Sequence, residues 1–142
     1  MKKASWILLT VLGVAITFFS LVSAFHAYRT SDDYAIGSSR VSRVAGGDAV
    51  IATALRGIRG TSAAYGAGFG VLFLTIVLGP YRRGDVWAWK ALLVAGLVQL
   101  LLVLLRIPML DTQLGVAPAV TQVIPLMVGL LLDVGRLKRP AQ

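Results

Sequence analysis

The apolar residues of this chain are gathered into four blocks, each near bilayer-spanning length and each bounded by charged or turn-forming residues. The first runs from about Trp6 to Phe25 without a charge, between the pair Lys2 and Lys3 and the group His26, Tyr28 and Arg29. The second runs from about Thr61 to Leu78. It is expected to stop at Gly79 and Pro80, ahead of Arg82 and Arg83, because proline has no N–H and its ring clashes with the preceding turn. The third runs from Val86 to Arg106 with Pro108 just beyond; the fourth runs from Val116, with Pro118 in its first turn, to Gly135 before Arg136, Lys138 and Arg139. A helix needs about 20 apolar residues to cross the ~30 Å hydrocarbon core. The pattern predicts an all-α fold, an integral membrane four-helix bundle making a single membrane domain over residues 1–142, with spans near 6–25, 61–78, 86–106 and 116–135. A cleaved signal peptide is the rival reading of the first block, since Val22, Ser23 and Ala24 offer small or modest residues for cleavage. The block exceeds the ~7 to 15 residues of a typical signal h-region, which favours an uncleaved anchor.

The connection 29–60 is longer than a minimal loop. Ser31 to Gly47 is rich in Ser, Gly and Asp and reads as loop. From Asp48, a suitable N-cap, Val50, Ile51, Ala54, Leu55 and Ile58 share a helical face while Arg56 and Arg59 lie toward another. Two readings of 48–60 stay open: a short interfacial helix on the outer leaflet, or an extension of the second span bent at Gly57 or Gly60.

Basic residues in short loops stay cytoplasmic. With the N-terminus inside, the inner segments carry Lys2, Lys3, Arg82, Arg83, Lys90, Arg136, Lys138 and Arg139 against Asp85 and Asp133. The outer side carries Arg29, Arg40, Arg43, Arg56, Arg59 and Arg106 against Asp32, Asp33, Asp48 and Asp111, with most of these Arg in one long loop. Both termini are therefore expected in the cytoplasm, with the chain multi-pass in the plasma (bacterial inner) membrane. Trp6, Trp87 and Trp89 then fall at the cytoplasmic interface as anchors, and Lys90 snorkels to water. Composition agrees: 57% of residues are hydrophobic and 14% charged, with a mean hydropathy of +0.80. The net charge of +8 would suit a nucleic-acid binder, but its placement at block ends makes the lipid bilayer the partner and leaves no role for nucleic acid. The lack of Cys excludes disulfides, thiolate metal sites and cysteine nucleophiles.

In hydrocarbon a side-chain amide needs a protein neighbour or a wet cavity. Gln99 lies seven residues before Arg106 and Gln122 six after Val116, so on antiparallel neighbouring helices they share a depth. Thr17, Tyr65 and Thr121 fall in the same layer, and Pro125 frees a carbonyl nearby. Interhelical hydrogen bonding is the plainer use of such a layer; a ligand pocket formed by Tyr65, Gln99, Thr121 and Gln122 is the sharper one. Ser62, Gly66 and Gly70, with Ala63 and Ala67 alongside, form a small-residue stripe that lets helix backbones approach closely, within the chain or between subunits. His26, Arg29, Asp32, Asp33, Arg106 and Asp111 could converge at the outer rim, yet no helix-spaced pair fixes two ligands, so a solvated rim with ion pairs such as Arg106 to Asp111 is expected. Asp133 lies three residues before Arg136, a spacing for local pairing. No catalytic residue, metal site or cofactor is assigned.

The segment Tyr81-Arg82-Arg83-Gly84-Asp85-Val86-Trp87-Ala88-Trp89, set between a Gly-rich second span and a Leu-rich third, resembles the cytoplasmic turn of small bacterial four-helix membrane proteins of the DoxX-like group. The resemblance covers about residues 48 to 106. It implies a membrane subunit, in some members beside quinone-linked oxidoreductases, and carries no catalytic residue onto this chain. The absence of Glu and the single His match poorly the sterol isomerase-like membrane enzymes, whose chemistry needs intramembrane acids. The favoured expectation is a non-enzymatic subunit or assembly partner of a larger membrane complex, with other membrane subunits or in a homo-oligomer. The alternative is a binder of a lipid-like or quinone-like small molecule; a small oligomeric transporter ranks third, because a proton or ion route leaves charged residues within spans.

Overall fold

The computed structural model describes residues 2–29, 33–36, 39–110 and 116–138. Helix α1 (Lys2–Tyr28) is followed by a small antiparallel ribbon of β1 (Ala35–Ile36) and β2 (Ser39–Arg40), and by the short helix α2 (Val41–Ala45). Helix α3 (Ala49–Ile76) runs on through a π turn (Val77–Tyr81). Helices α4 (Val86–Leu110) and α5 (Val116–Leu131) complete the all-α fold, with a 3-10 turn at Val134–Lys138. Three helical stretches are long and apolar enough to cross a membrane, Lys3–Tyr28, Ala49–Tyr81 and Val86–Met109. This is the pattern of a multi-pass membrane protein. The fourth expected span, 116–135, is α-helical only to Leu131; its 16 residues rise about 24 Å, less than the hydrocarbon core.

The chain divides into two compact units, one of Met1–Val14 with Val71–Gln142 and the other of Ala15–Gly70. In the first unit α4 and α5 run antiparallel, and α5 buries Ala119, Val123, Leu126 and Leu130, one stripe at three- and four-residue spacing. Leu126 seats on Gly96, and Leu9 of α1 seats on Gly129, where a Cβ would lie 2.6 Å from its Cδ2. Apolar side chains such as Leu101, Leu102 and Ile124 point outward, as lipid-facing positions do.

In the second unit the later half of α1 runs antiparallel to α3. Tyr28 covers Gly60, Ser20 faces Gly66 and Thr17 faces Gly70. Lipid tails are as apolar as leucine, so this contact rests on close packing rather than on escape from water. The expected stripe is corrected at one end. Ser62 is exposed and donates its hydroxyl to the Ile58 carbonyl at 2.9 Å, while Ala63 is the buried member. The inward positions of α3 thus follow the alternating three- and four-residue spacing of left-handed helix pairs rather than a strict four-residue repeat.

Three other expectations change. Of the two readings of 48–60 the interfacial helix is set aside and the extension of the second span holds: residues from Ala49 are the first turns of the continuous α3, and Asp48 Oδ1 accepts the N–H groups of Val50 (2.7 Å) and Ile51 (3.3 Å) as expected of a cap. The second span does not stop at Pro80. The ladder widens so that the Arg82 N–H reaches the Val77 carbonyl, five residues back, and this looser turn carries the proline. The helix closes beyond it at Gly84, whose φ of +110° suits glycine. Pro108 lies inside the last turn of α4, where it leaves the Leu104 carbonyl without its helical donor. Part of the expected loop 31–47 is folded, because Asp33 and the β1–β2 ribbon lead directly into α2; two-residue strands carry too little alternation to be read from a sequence.

A Cβ on Gly70 would meet the backbone N of Thr17 at 2.9 Å and its Cα at 3.1 Å, whereas nothing lies within 4 Å of one on Gly68. Gly70→Ala is expected to destabilise the protein by about 1–3 kcal/mol through overpacking. Gly68→Ala is expected to be neutral or stabilising by up to ~1 kcal/mol. Thermal unfolding of both variants in the same detergent micelle checks this ordering.

Candidate functional site

The amide pair lies where the depth argument puts it. Gln99 on α4 donates through Nε2 to Oε1 of Gln122 on α5 at 2.8 Å, both half-buried. One amide donor and one amide acceptor are used in this bond. The Gln99 oxygen and the Gln122 N–H groups are not used by it, and both residues keep part of their surface uncovered.

The other members of the expected layer do not join this pair. Thr121 is exposed and returns its hydroxyl to the Pro118 carbonyl at 2.8 Å, which satisfies it within its own helix. Tyr65 is 76% exposed and belongs, with the half-buried Thr17, to the second unit. Thr17 instead packs at Gly70. Periodicity placed these residues at one depth, and depth does not decide which face of a helix they occupy.

A second polar group in the first unit was not anticipated. The Ser5 hydroxyl donates to the Gly129 carbonyl at 2.7 Å. Its single proton being used there, it accepts from the Tyr81 hydroxyl at 2.6 Å. Trp89 Nε1 donates to the Leu130 carbonyl at 3.0 Å. These carbonyls end α5, where the last turn has no following helical N–H groups; the Asp133 N–H also turns to Leu130 rather than to Gly129. Side chains from α1 and α4 therefore cap α5, with Tyr81 of the π turn holding Ser5. Trp89 is consequently buried and is no interface anchor, a correction that leaves exposed Trp87 and Lys90 and half-buried Trp6, whose ring the Arg82 guanidinium overlies at 4.9 Å. The signal for Ser5 was present, since it shares a helical face with the buried Leu9 and Leu12. Asp133 is buried near the same end, and the side chain of its expected partner Arg136 lies outside the described residues.

At the expected rim, His26 Nδ1 lies 2.9 Å from the Val22 carbonyl, and the Arg29 guanidinium overlies Phe25 at 4.9 Å. Asp33 accepts the Ser42 N–H (2.9 Å) and hydroxyl (2.8 Å), with Arg40 at 3.9 Å. Asp32, Asp111 and the side chain of Arg106 lie outside the described residues. Among the described residues no group of three His, Cys, Asp or Glu could hold a metal ion. The backbone N–H of Ser42, then its hydroxyl, hold the Asp33 carboxyl below its ordinary pKa, with smaller help from the charges of Arg40 and Arg56.

No family model, curated protein or solved structure matches the chain.

Ser5→Ala leaves the buried Gly129 carbonyl without its hydroxyl donor, for an expected loss of about 1–3 kcal/mol. Tyr81→Phe spares that bond and is expected to cost only about 1 kcal/mol; chemical denaturation in micelles would rank the two. A lowered pKa means that the Asp33 contact with Ser42 is fully present above the ordinary carboxylate pKa and is lost as pH falls through the lowered value. The Ser42 amide resonance should therefore titrate with a midpoint below that of an unperturbed Asp, and Asp33→Ala should abolish the titration.

Proposed function

We propose that this chain is a non-enzymatic subunit or assembly partner in a bacterial inner membrane, with both termini in the cytoplasm, associating with other membrane subunits or with copies of itself. The observation that carries the reading is the Gln99–Gln122 pair, whose remaining amide groups sit on apolar helices and are left for a neighbour to bond. An unpaired amide in hydrocarbon costs several kcal/mol, so a half-buried pair with amide groups left over favours a polar partner on an adjoining helix. The turn at 81–89, similar to that of DoxX-like membrane subunits, agrees with this role, as does the basic inner side. The short α5, extended by the turn at Val134–Lys138, would serve as the fourth span.

A second reading uses the same amides. A carbonyl-bearing lipid-like or quinone-like molecule would accept from the Gln122 N–H groups, beside the Thr121 carbonyl that Pro125 deprives of its helical donor.

Mild solubilisation of the native membrane, followed by intact mass measurement and identification of all that travels with the chain, separates them. Replacing both Gln99 and Gln122 with Leu removes a bonded pair together and should leave the fold nearly unchanged in stability. The double variant is expected to lose its partner subunits. Loss of a bound small molecule with assembly intact would instead favour the second reading, and no change in either would defeat both.

A further inference from the structure

The second unit holds two buried polar atoms without a hydrogen-bond partner among the described residues, the Tyr34 hydroxyl and Arg56 Nε. They belong to one cluster. Arg59 follows Arg56 by three residues on α3, its guanidinium carbon 4.1 Å from the centre of the Tyr34 ring while its Nε donates to Ser23 of α1 at 3.1 Å. The charge of Arg56 acts on Asp33, the neighbour of Tyr34. The Arg59 guanidinium thus lies on the Asp33-Tyr34 segment, and Arg56, three residues before it on α3, shares its helix face. The Asp33 carboxylate is engaged by Ser42 and faces Arg40 as well, so Arg40, Arg56 and Arg59 together outweigh it.

Buried donors without acceptors are costly, and the group that would satisfy these must bring several lone pairs and negative charge. A phosphate has both: guanidinium groups pair with its oxygens in a fork, and a phenol hydroxyl donates to another. Depth narrows the source. Arg59 is the last charge before the uncharged run 60–78, and Ser23 lies near the end of the uncharged run 6–25. On a spanning helix such positions fall at the headgroup level.

We propose that Tyr34, Arg56 and Arg59 form a phosphate site that holds the headgroup of an anionic lipid at the Ala49 end of α3. The site depends on the membrane reading of the chain and is independent of Gln99 and Gln122.

The full chain, purified in mild detergent, would be titrated with phosphatidylglycerol, phosphatidylcholine and inorganic phosphate, and bound species read by native mass spectrometry. Phosphatidylglycerol should be retained about tenfold better than phosphatidylcholine, and Arg56→Gln should remove most of that preference. Tyr34→Phe keeps the ring beneath Arg59, so a several-fold weakening there would report the hydroxyl rather than misfolding. Arg83→Gln, outside the cluster, should change nothing. Displacement of the lipid by millimolar inorganic phosphate would support the phosphate site while assigning it to a free anion; resistance to displacement supports the lipid. Equal retention of the two lipids, or binding unchanged in both Arg56→Gln and Tyr34→Phe, would overturn the site.

Discussion

A helix that ends away from water must find donors for its last carbonyls, and α5 finds side-chain donors on two other elements. Ser5 of α1, supported by Tyr81 of the π turn, serves Gly129, and Trp89 of α4 serves Leu130. The widened turn at Pro80 belongs to the same arrangement, since a proline-tolerant π turn carries Tyr81 to a fully buried position. Hydrogen bonds add direction to packing that dispersion alone leaves loosely specified. In the first unit they set which ends of the helices meet.

The second unit solves the same problem with little polar chemistry. Gly66 and Gly70 let α3 approach α1 closely enough for Ser20 and Thr17 to lie against its backbone. Hydroxyls elsewhere on the apolar helices return to carbonyls of their own helix, as Thr10 does to Trp6 and Thr75 to Val71. Such side chains cost little in lipid and demand no neighbour. The two amides of Gln99 and Gln122 bond each other across the helix pair, whereas Thr121 is satisfied within its own helix.

Among the described residues no group of three His, Cys, Asp or Glu gathers to hold a metal. The polar groups of the chain are instead spent on caps, interhelical bonds and a basic cluster at the start of α3.

Much of the architecture was legible in the residues. Block length and the absence of charge determine where helices can cross, and antiparallel depth matched Gln99 to Gln122 before any contact was known. Asp48 was readable as a cap because its effect is local. What the sequence left open depends on which face a residue occupies in space. Trp89 reads as an interface anchor, whereas in the fold it is buried and its N–H reaches the Leu130 carbonyl. Tyr65 was expected at the depth of Gln99, and its side chain is exposed within its own unit. Pro80 reads as a stop until the turn around it widens. Periodicity and hydropathy report depth and local propensity; the pairing of polar groups between distant helices is a property of tertiary structure alone, because it is decided by the unmet hydrogen bonds of residues far apart in the chain.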